Sequence, residues 1–491
     1  MKRAVIVLLA VLAGCAGDEG GRGHTLKAIK DRGYFTYGSD LQGGEPYLFE
    51  DPQNPRHIIG FEVDIADEIG RRLGVKAKFV QYAWSNLVPS LERGDFDVVM
   101  NGLEATAERQ ERILLSEPYF IYAETLAVRR DSAAKSLDDL KGKRVGTLNQ
   151  TYAHDLLKAQ PLEAVLYEGN EEPYIDLEQG RVDGVLLDNI IADRYGCTPT
   201  RPAVKCVPGD IARGTYVIGI RKGDDDLKAA IDGALAGMRA DGTLERILRK
   251  ANLWDARQTE PAPAISAAKA VKLRKFDSDM LWQFIEAALV TLRLSIFAFL
   301  LAVPVGIMLA VARVYGGPIA SALARIYIEV FRGTPVLLQL FVLYYGLAPY
   351  YSLGPVTAAV LGLGLNYGAY EAEVYRGALL AIPRGQTEAA KALGMAPTQT
   401  LRHVLLPQAL RLALPPMTND FVSLLKDSSL VSVITVIELT KRMTIAAVDM
   451  RGWLLPGLAC AGLYLVLSFP LSELARRLER RLARDQRPQA L

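Results

Sequence analysis

A polar segment over residues 383–416 lies between two long apolar runs and carries the residue types of a short, exposed helix pair. Thr387 can cap the first helix, and Glu388 falls in its first turn, where the helix dipole favours an acid. Gly394 can end this helix. The types and spacing of these residues predict recognition of a partner by surface contact.

The same segment holds a second expected helix, which starts near Thr398 and ends at Pro407. In the first helix, Ala389 and Ala390 leave a bare surface that a partner can approach closely. An Ala-rich surface helix without a partner is the alternative. The position of the segment between apolar runs favours docking.

Several other kinds of chemistry are not indicated by the sequence. The phosphate-loop motif Gly-x-x-x-x-Gly-Lys-Ser/Thr does not occur. Four cysteines and four histidines are too few and too scattered for a convincing metal site. The net charge of +2 over 491 residues does not point to nucleic acid as a partner.

The length is enough for two or three domains, and half of the residues are hydrophobic, with a mean hydropathy of +0.13. Residues 1–15 begin with two basic residues and continue as a short apolar run, which is the form of a secretory signal. Residues 12–15 resemble a bacterial lipobox, in which Cys15 would be lipidated and held by membrane lipid. A plain signal peptide with a chance cysteine is the alternative. Residues 17–23 form a flexible tether.

Residues 24–255 alternate short strands with amphipathic helices, which predicts a two-lobed α/β domain with a mostly parallel sheet. One helix begins after Gly60 and ends at Gly74. The segments 125–130 and 215–221 are expected to be the crossings between the lobes.

Cys197 and Cys206 lie nine apart in a Pro/Thr-rich loop of this domain. In the oxidising compartment implied by the export signal, they can form a disulfide. Two unpaired thiols are the alternative.

Residues 256–279 form a Pro/Ala-rich and then basic linker, and residues 280–480 form an all-α membrane domain. At about 1.5 Å rise per residue, five apolar runs are long enough to cross a bilayer. The predicted spans are 281–312, 319–347, 355–381, 416–437 and 454–473.

With residues 24–255 outside, five spans place residues 383–416 and the tail 481–491 in the cytoplasm. The tail is rich in arginine, and the outer loop 348–354 has no Lys or Arg, as the positive-inside rule expects. Another predicted outer loop carries three basic residues that do not agree with this topology: Lys441, Arg442 and Arg451.

A sequence motif of the segment 383–416 resembles the EAA loop of ABC importer permeases: Glu388-Ala389-Ala390, followed by Gly394 and by Leu406-Pro407. In that family, this cytoplasmic helix pair docks in a groove of the ATPase subunit. The resemblance implies an ATPase-coupling role for Glu388, Ala389, Ala390 and Gly394. It also implies that ATP and Mg are bound by a separate partner subunit, with no cofactor on this chain.

Residues 24–255 resemble the extracytoplasmic amino-acid-binding proteins of ABC importers, of the family 3 type. The stretches that carry the resemblance are Gly38-Ser39-Asp40, residues 60–64, residues 101–106 with Arg109, Ser116-Glu117-Pro118-Tyr119, and Leu187-Asp188. The resemblance implies a cleft between the lobes that binds an amino acid.

An amino acid presents a carboxylate and an ammonium, and the cleft must neutralise both. Arg109 can hold the carboxylate with a bidentate fork, and Asp188, from the other lobe, can hold the ammonium. Trp84 can cover the stem of the ligand, and Gly102 permits close backbone approach. The predicted ligand-binding residues are Asp40, Trp84, Asn101, Gly102, Glu104, Arg109, Thr151, Tyr152 and Asp188.

Three departures from the family pattern affect the expected ligand. Leu148 stands where a lysine often precedes the anion-binding loop. Glu104 stands where members often have a hydroxyl residue, and this carboxylate would repel a ligand carboxylate but help to hold a cation. Gly43-Gly44 replaces a common aromatic residue. With Asp188, Glu104 makes a polar or cationic, amine-bearing ligand plausible, and glutamine-like specificity does not carry over.

Residues 280–480 resemble the permeases of polar-amino-acid importers through stretches 331–335, 370–377 and 426–430. Because such pores are built from two permease subunits, a homodimer or a paralogous pair is expected. Charged residues in spans are costly and predict a translocation path or subunit contacts, with interfacial salt bridges as the alternative. These residues are Glu371, Glu373, Arg376, Lys426 and Asp427.

The sequence therefore predicts a receptor–permease subunit of a type I ABC importer in the cytoplasmic membrane, not an enzyme. An amino-acid-gated channel is one alternative, but the binding domain is complete before the first predicted span. A membrane-tethered sensor is another, but no signalling domain follows the last predicted span.

Overall fold

The computed structural model describes residues 25–265, 275–351, 353–450 and 452–485. The predictions for Cys15, Arg451 and residues 486–491 lie outside them. The chain forms two compact units, residues 1–271 and residues 272–491.

The first unit contains short helices and strands in alternation. Its helices are α1 Thr25–Arg32, α2 Phe61–Leu73, α3 Leu87–Arg93, α4 Ala107–Arg112, α5 Tyr152–Lys158, α6 Glu172–Glu178, α7 Asn189–Ile191, α8 Asp225–Ala240 and α9 Thr243–Lys250. Its strands are β1 Tyr34–Ser39, β2 Phe49–Asp51, β3 Asn54–Ile59, β4 Lys76–Gln81, β5 Val98–Val99, β6 Leu114–Leu115, β7 Phe120–Arg129, β8 Arg144–Leu148, β9 Glu163–Tyr167, β10 Gly184–Asp188, β11 Val204–Cys206, β12 Ala212–Tyr216 and β13 Gly219–Ile220.

Two sheets form the two lobes. In the first, the strand order is β4-β1-β5-β13-β6, with β1 parallel to β4 and β5 and with β13 antiparallel to its neighbours. In the second, the order is β11-β7-β10-β8-β9, and β12 also pairs with β7. The strands β8, β9 and β10 are parallel, whereas β7 pairs antiparallel with β10, β11 and β12. The two-lobed α/β prediction is confirmed, but the prediction of a mostly parallel sheet is wrong, because both sheets are mixed.

The chain passes between the lobes at two short segments. It leaves the first sheet after β6 and enters the second at β7, so the first crossing is residues 116–119. The prediction of residues 125–130 is wrong, because these residues lie within β7 and its continuation. The return runs between β12 and β13 at residues 217–218, inside the predicted segment 215–221.

The local sequence explains α2. Ile65 and Ile69 are buried on one face, acids occupy the first turn, and two arginines occupy the last turn, as the helix dipole favours. Gly74 ends the helix at φ +76°, a left-handed conformation that suits glycine. In the same unit, a disulfide joins Cys197 to Cys206, the last residue of β11, with 5.6 Å between their Cα atoms.

The second unit is helical. Its α-helices are α10 Ser278–Tyr315, α11 Pro318–Gly333, α12 Val336–Phe341, α13 Pro355–Ala381, α14 Arg384–Ala392, α15 Pro397–Thr400, α16 Leu406–Asp427, α17 Leu439–Met450 and α18 Leu454–Asp485. Apolar faces of α10, α13 and α16 share buried clusters, so these helices form the centre of the unit.

The predicted single span 319–347 is broken. α11 and the helical segment 336–346 meet at 103° across Thr334 and Pro335. Thr334 has an extended backbone, because the ring of a following proline excludes the α conformation. The predicted span 416–437 is also interrupted, since α16 ends at Asp427 and a 3₁₀ turn, Ser428–Ile434, follows.

Within the described residues, two helices are long and apolar enough to cross a membrane, α10 and residues 454–477 of α18. The bent pair adds a third if it is counted as one span. Polar side chains such as Asn366 and Glu371 lower the hydropathy of α13. A count of five spans therefore stays a prediction.

Candidate functional site: the cleft between the lobes

The cleft between the two lobes of the first unit has an empty volume of about 460 Å³, open mouth included. Seven of the nine predicted ligand-binding residues line it: Asp40, Trp84, Asn101, Gly102, Glu104, Thr151 and Asp188. Arg109 and Tyr152 are not among its lining residues. The prediction that Arg109 faces the ligand is therefore not reproduced in this closed structure.

Side chains from each lobe hydrogen-bond to the other and hold the cleft closed. Trp84 Nε1 donates to the carbonyl of Asn149 at 2.9 Å, and Asn170 Nδ2 donates to the carbonyl of Gly43 at 2.9 Å. Tyr47 Oη donates to Asp188 Oδ1 at 3.1 Å. The lobes are thus joined around the cavity by contacts from both sides.

Asp40 and Asn101 shape the wall of the cleft. The carboxylate of Asp40 accepts from the amide of Gln42, from Gln81 Nε2 and from the amide of Trp84, at 3.0, 3.0 and 2.7 Å. Asn101 Oδ1 accepts from the amide of Asp40 at 2.9 Å. Because Asp40 already accepts three hydrogen bonds, it fixes the position of Trp84 and is not available as a strong acceptor for a ligand.

Gly102 is required by its surroundings. Its φ is +58°, and a Cβ atom there would lie 2.8 Å from the ring of Tyr47. Its amide donates to Glu62 Oε1 at 2.6 Å, and burial raises the pKa of Glu62 to about 7. The glycine therefore lets the backbone approach the aromatic wall of the cleft.

Arg109 and Glu104 form a buried ion pair beside the cleft. Thr106 caps α4 and accepts from the amide of Arg109, so Arg109 lies in the first turn of the helix. Its Nη1 lies 2.7 Å from the carbonyl of Glu104 and 3.3 Å from Glu104 Oε2. Its Nη2 donates to the carbonyl of Gln150, in the other lobe, at 2.7 Å.

The second lobe also contacts Glu104. The side chain of Thr151 caps α5 and accepts from the amide of His154. The backbone amide of Tyr152, the residue after Thr151, donates to Glu104 Oε2 at 2.9 Å. Thr151 and Tyr152 therefore act on the cleft mainly by placing the first turn of α5 against Glu104.

The electrostatics of the cleft are dominated by acids. Burial raises the pKa of Glu104 to about 7, Arg109 and the Tyr152 amide lower it, and Asp188 raises it. Burial also raises the pKa of Asp188, although the amide of Ile191 and the hydroxyls of Tyr216 and Tyr47 oppose this. No Lys, Arg or His is among the described residues that line the cleft.

A third acid, Glu124, lies in β7 beside this pair and was not anticipated. It is fully buried, and the backbone amide of Ala153 opposes the rise of its pKa. Burial raises its pKa well above the ordinary value, and the carboxylates of Glu104 and Asp188 raise it further. Only its place in an otherwise apolar strand pattern could have marked it in the sequence.

The lining residues that were not among the predicted ligand-binding residues include Tyr47, Glu168 and Asn170. Tyr47 forms an aromatic wall of the cleft three residues after the Gly43-Gly44 pair. In the sequence, this pair indicated that the aromatic residue common in the family was absent. The neighbouring Pro46 and the spacing of Tyr47 from β1 were the available signals.

The second unit has a polar cavity of its own at the bend between α11 and α12. Arg332, Tyr367, Asp420 and Asp427 are among its lining residues. Tyr367 Oη donates to Asp427 Oδ2 at 2.8 Å. Of the other predicted charges, Glu373 forms ion pairs with Arg313 and Arg376, at 2.6 and 2.8 Å.

Comparison with known proteins agrees with both units. Residues 39–252 match the bacterial extracellular solute-binding proteins, family 3, and residues 302–484 match the binding-protein-dependent transport system inner membrane component. The glutamine transport system permease protein GlnP of Escherichia coli K12 is 40% identical over 216 residues, which cover 42% of this chain and 98% of that protein. This chain belongs to the amino-acid ABC transporters.

Two further similarities cover one unit each. The L-cystine transport system permease protein TcyB of Bacillus subtilis is 38% identical over 197 residues, 40% of this chain and 84% of that protein. Holo ArgBP from T. maritima is 32% identical, with a TM-score of 0.40, over 45% of this chain and 98% of that structure. The transporter is therefore a binding domain and an inner-membrane permease domain in one chain, and neither belongs to an enzyme family.

In the permease domain of this transporter, α14 carries the predicted coupling residues. α14 begins at Arg384, so Thr387 is inside the helix and does not cap it. Gly394, at φ +77°, follows the end of the helix as expected. Glu388 and Ala389 are exposed, but Ala390 is buried, and the expectation of a bare surface at Ala390 is wrong. Leu393, which was not predicted, is 82% exposed beside them.

The second expected helix of this segment does not end at Pro407. α15, a π turn over Leu401–Leu405 and α16 are continuous, and Pro407 lies in the first turn of α16. A proline in this place loses no necessary hydrogen bond, because the wider π turn precedes it.

Proposed function

We propose that this chain is the receptor–permease subunit of an ATP-driven importer, and that its outer domain captures a cationic amino acid or a related amine. One observation supports the ligand charge above all. Asp188, Glu104 and Glu168 line the cleft, and none of its described lining residues is basic. A buried site with this charge favours a cation and repels an anion.

In this proposal, the side chains that the structure places in the cleft hold the ligand. Asp188 accepts from an ammonium or guanidinium group, and the indole of Trp84 packs on the ligand's stem or stacks on its planar end. The hydroxyl of Tyr47 orients Asp188. Arg109 acts through Glu104, which it holds in place.

We further propose that the exposed part of α14 contacts a separate ABC ATPase. Glu388, Ala389 and Leu393 are exposed there, Gly394 ends the helix, and the family context calls for an ATPase. ATP and Mg would be bound by that partner. Two permease domains, as a homodimer, would form the pore, and the binding domain would face the extracytoplasmic side.

Within the permease domain, the cavity at the α11–α12 bend supports a role in the translocation path. Arg332, Asp420 and Asp427 give it charges of both signs. Charged groups at membrane depth usually face such a path or a partner.

Equilibrium titration of the full chain in nanodiscs tests the proposed ligand charge. Lysine, glutamine and glutamate have similar length and differ in side-chain charge. We expect measurable binding of lysine and none of glutamate. Tighter binding of glutamate or glutamine than of lysine would contradict the cationic ligand.

A further inference from the structure

The contacts of Glu104 bear on which cations the cleft accepts. A ligand carboxylate buried in the cleft needs a cationic side chain or several free N–H donors. The described lining residues include no Lys, Arg or His. Arg109 lies beside the cleft, with its guanidinium carbon 5.2 Å from the ring centre of the lining residue Trp84.

Arg109 is already engaged by the protein. Both of its terminal nitrogens donate to main-chain carbonyls, those of Glu104 and Gln150, each at 2.7 Å. The same Nη1 also faces Glu104 Oε2. Gln150 has a φ of +61°, uncommon for a residue other than glycine, and this conformation accompanies its carbonyl contact with Arg109. The guanidinium is nearly buried, with 8% of the side chain exposed.

Backbone amides at the start of α5 also donate hydrogen bonds to acceptors within the protein. Tyr152 N–H donates to Glu104 Oε2, and the His154 amide donates to the side chain of Thr151. The carboxylate of Glu104 therefore accepts from a guanidinium in one lobe and from a backbone amide in the other. These are the kinds of donor that a ligand carboxylate would need.

The buried acids around this contact act on one another. Glu124 is fully buried, and the carboxylates of Glu104 and Asp188 raise its pKa further, so this side chain favours its protonated form. A second carboxylate brought in by a ligand would be repelled by Glu104 and Asp188, and the guanidinium that could balance it is already shared with Glu104. An ammonium or guanidinium group would instead reduce the repulsion.

We propose that Glu104 is a built-in carboxylate that closes the lobes in place of a ligand carboxylate, and that the preferred ligand is an amine or guanidine without a carboxyl group. This inference rests on the proposed function and narrows its ligand class. Glu104 is then the specificity-determining residue of the cleft.

Two matched pairs of compounds test this inference on the full chain in nanodiscs. Agmatine is arginine without its carboxyl group, and cadaverine is lysine without it. Because an unpaired buried carboxylate is strongly unfavourable, we expect each amine to bind at least about tenfold more tightly than its parent amino acid. Tighter binding of arginine or lysine would overturn the inference and leave the proposed cationic amino-acid importer intact. Binding of glutamine alone would overturn both.

Variants of Glu104 test its role directly. Glu104→Thr frees Arg109 and the Tyr152 amide to bind a ligand carboxylate. Arginine should therefore bind more tightly than agmatine to this variant, and lysine more tightly than cadaverine. Glu104→Gln keeps the shape of the side chain and should weaken binding of agmatine without making arginine the better ligand. Glu163→Gln, on a solvent-exposed strand position away from the cleft, is the matched control and should change neither. An unchanged order in Glu104→Thr would contradict the inference.

Discussion

The cleft of the binding domain and the polar cavity of the permease domain differ in how their charges are balanced. The charged side chains among the described lining residues of the cleft are all acidic, and the guanidinium of Arg109 beside the cleft is engaged by Glu104. The permease cavity has Arg332 together with Asp420 and Asp427. An unbalanced buried charge gives strong, selective binding of a cation, whereas mixed charges keep binding weak enough for release. This difference in charge is what we expect if the first region captures the solute and the second forms part of its path, as proposed.

The largest expected effect is a loss of ATP-dependent uptake with no change in ligand affinity. Glu388→Lys reverses the charge of an exposed residue on α14, the proposed contact with the ATPase. We expect it to abolish ATP-dependent uptake and to leave ligand affinity in the binding domain unchanged. Uptake into vesicles and titration of the same preparation measure the two quantities. A lost ligand affinity would contradict this division between the two regions.

Much of this comparison was accessible from the sequence. The helix ending at Gly74, the acids Glu104 and Asp188, and the exposed Glu388 follow from patterns that are local in the chain. Each of them depends on neighbours within a few residues, and local patterns determine helix ends and strand positions.

The features that sequence reasoning missed depend on contacts between distant segments. The bend at Thr334-Pro335 and the helix through Pro407 depend on how a proline is accommodated by the surrounding turns. Arg109 was expected to face the ligand, but the carbonyl of Gln150, 41 residues away, draws it to the lobe interface. Ala390 is buried by packing of the permease domain, which spacing alone does not reveal.

The next largest effect is the loss of ligand affinity expected when the negative charge of Asp188 is removed from the cleft. Asp188→Asn should weaken binding of the preferred cation by about 2–5 kcal/mol, because it leaves a buried cation without its counter-charge. Titration measures this directly. Glu163→Gln again serves as the control. An unchanged dissociation constant in Asp188→Asn would exclude Asp188 from the site.

A smaller effect concerns pH. The pKa of Glu104, raised to about 7 mainly by burial, means that it gains a proton as the pH falls from 8 to 6. The groups that act on it are Arg109, Asp188, Asp155, Glu124, Tyr122 and the Tyr152 amide. Because protonation removes negative charge from the cleft, affinity for a cation should decrease by up to about tenfold over this range.

Glu104→Gln is the control for this pH dependence, since glutamine does not titrate. The affinity of that variant should be nearly constant between pH 8 and 6. A pH dependence that persists in Glu104→Gln would assign the proton to another acid of the cleft, and an affinity that rises on acidification would contradict the sign of the effect.

The smallest effect concerns the wall of the cleft. Gly102→Ala introduces a Cβ atom 2.8 Å from the ring of Tyr47 at a φ of +58°, whereas Gly142→Ala has a similar φ of +71° with no atom within 4 Å. Both substitutions strain the backbone by about 1 kcal/mol. Gly102→Ala should lower the unfolding free energy by more than Gly142→Ala, and only Gly102→Ala should weaken ligand binding. Equal effects would show that the contact with Tyr47 is unimportant.

The central claim is that the acidic cleft selects the cation that the permease domain imports. ATP-dependent uptake into vesicles tests it, with an amino-acid-importer ATPase supplied and the tightest-binding compound among lysine, arginine, agmatine and cadaverine as the radiolabelled probe. Uptake should require ATP in the wild-type chain and should be lost in Asp188→Asn at probe concentrations that saturate the wild type. Uptake by Asp188→Asn with an unchanged half-saturating concentration would contradict the claim.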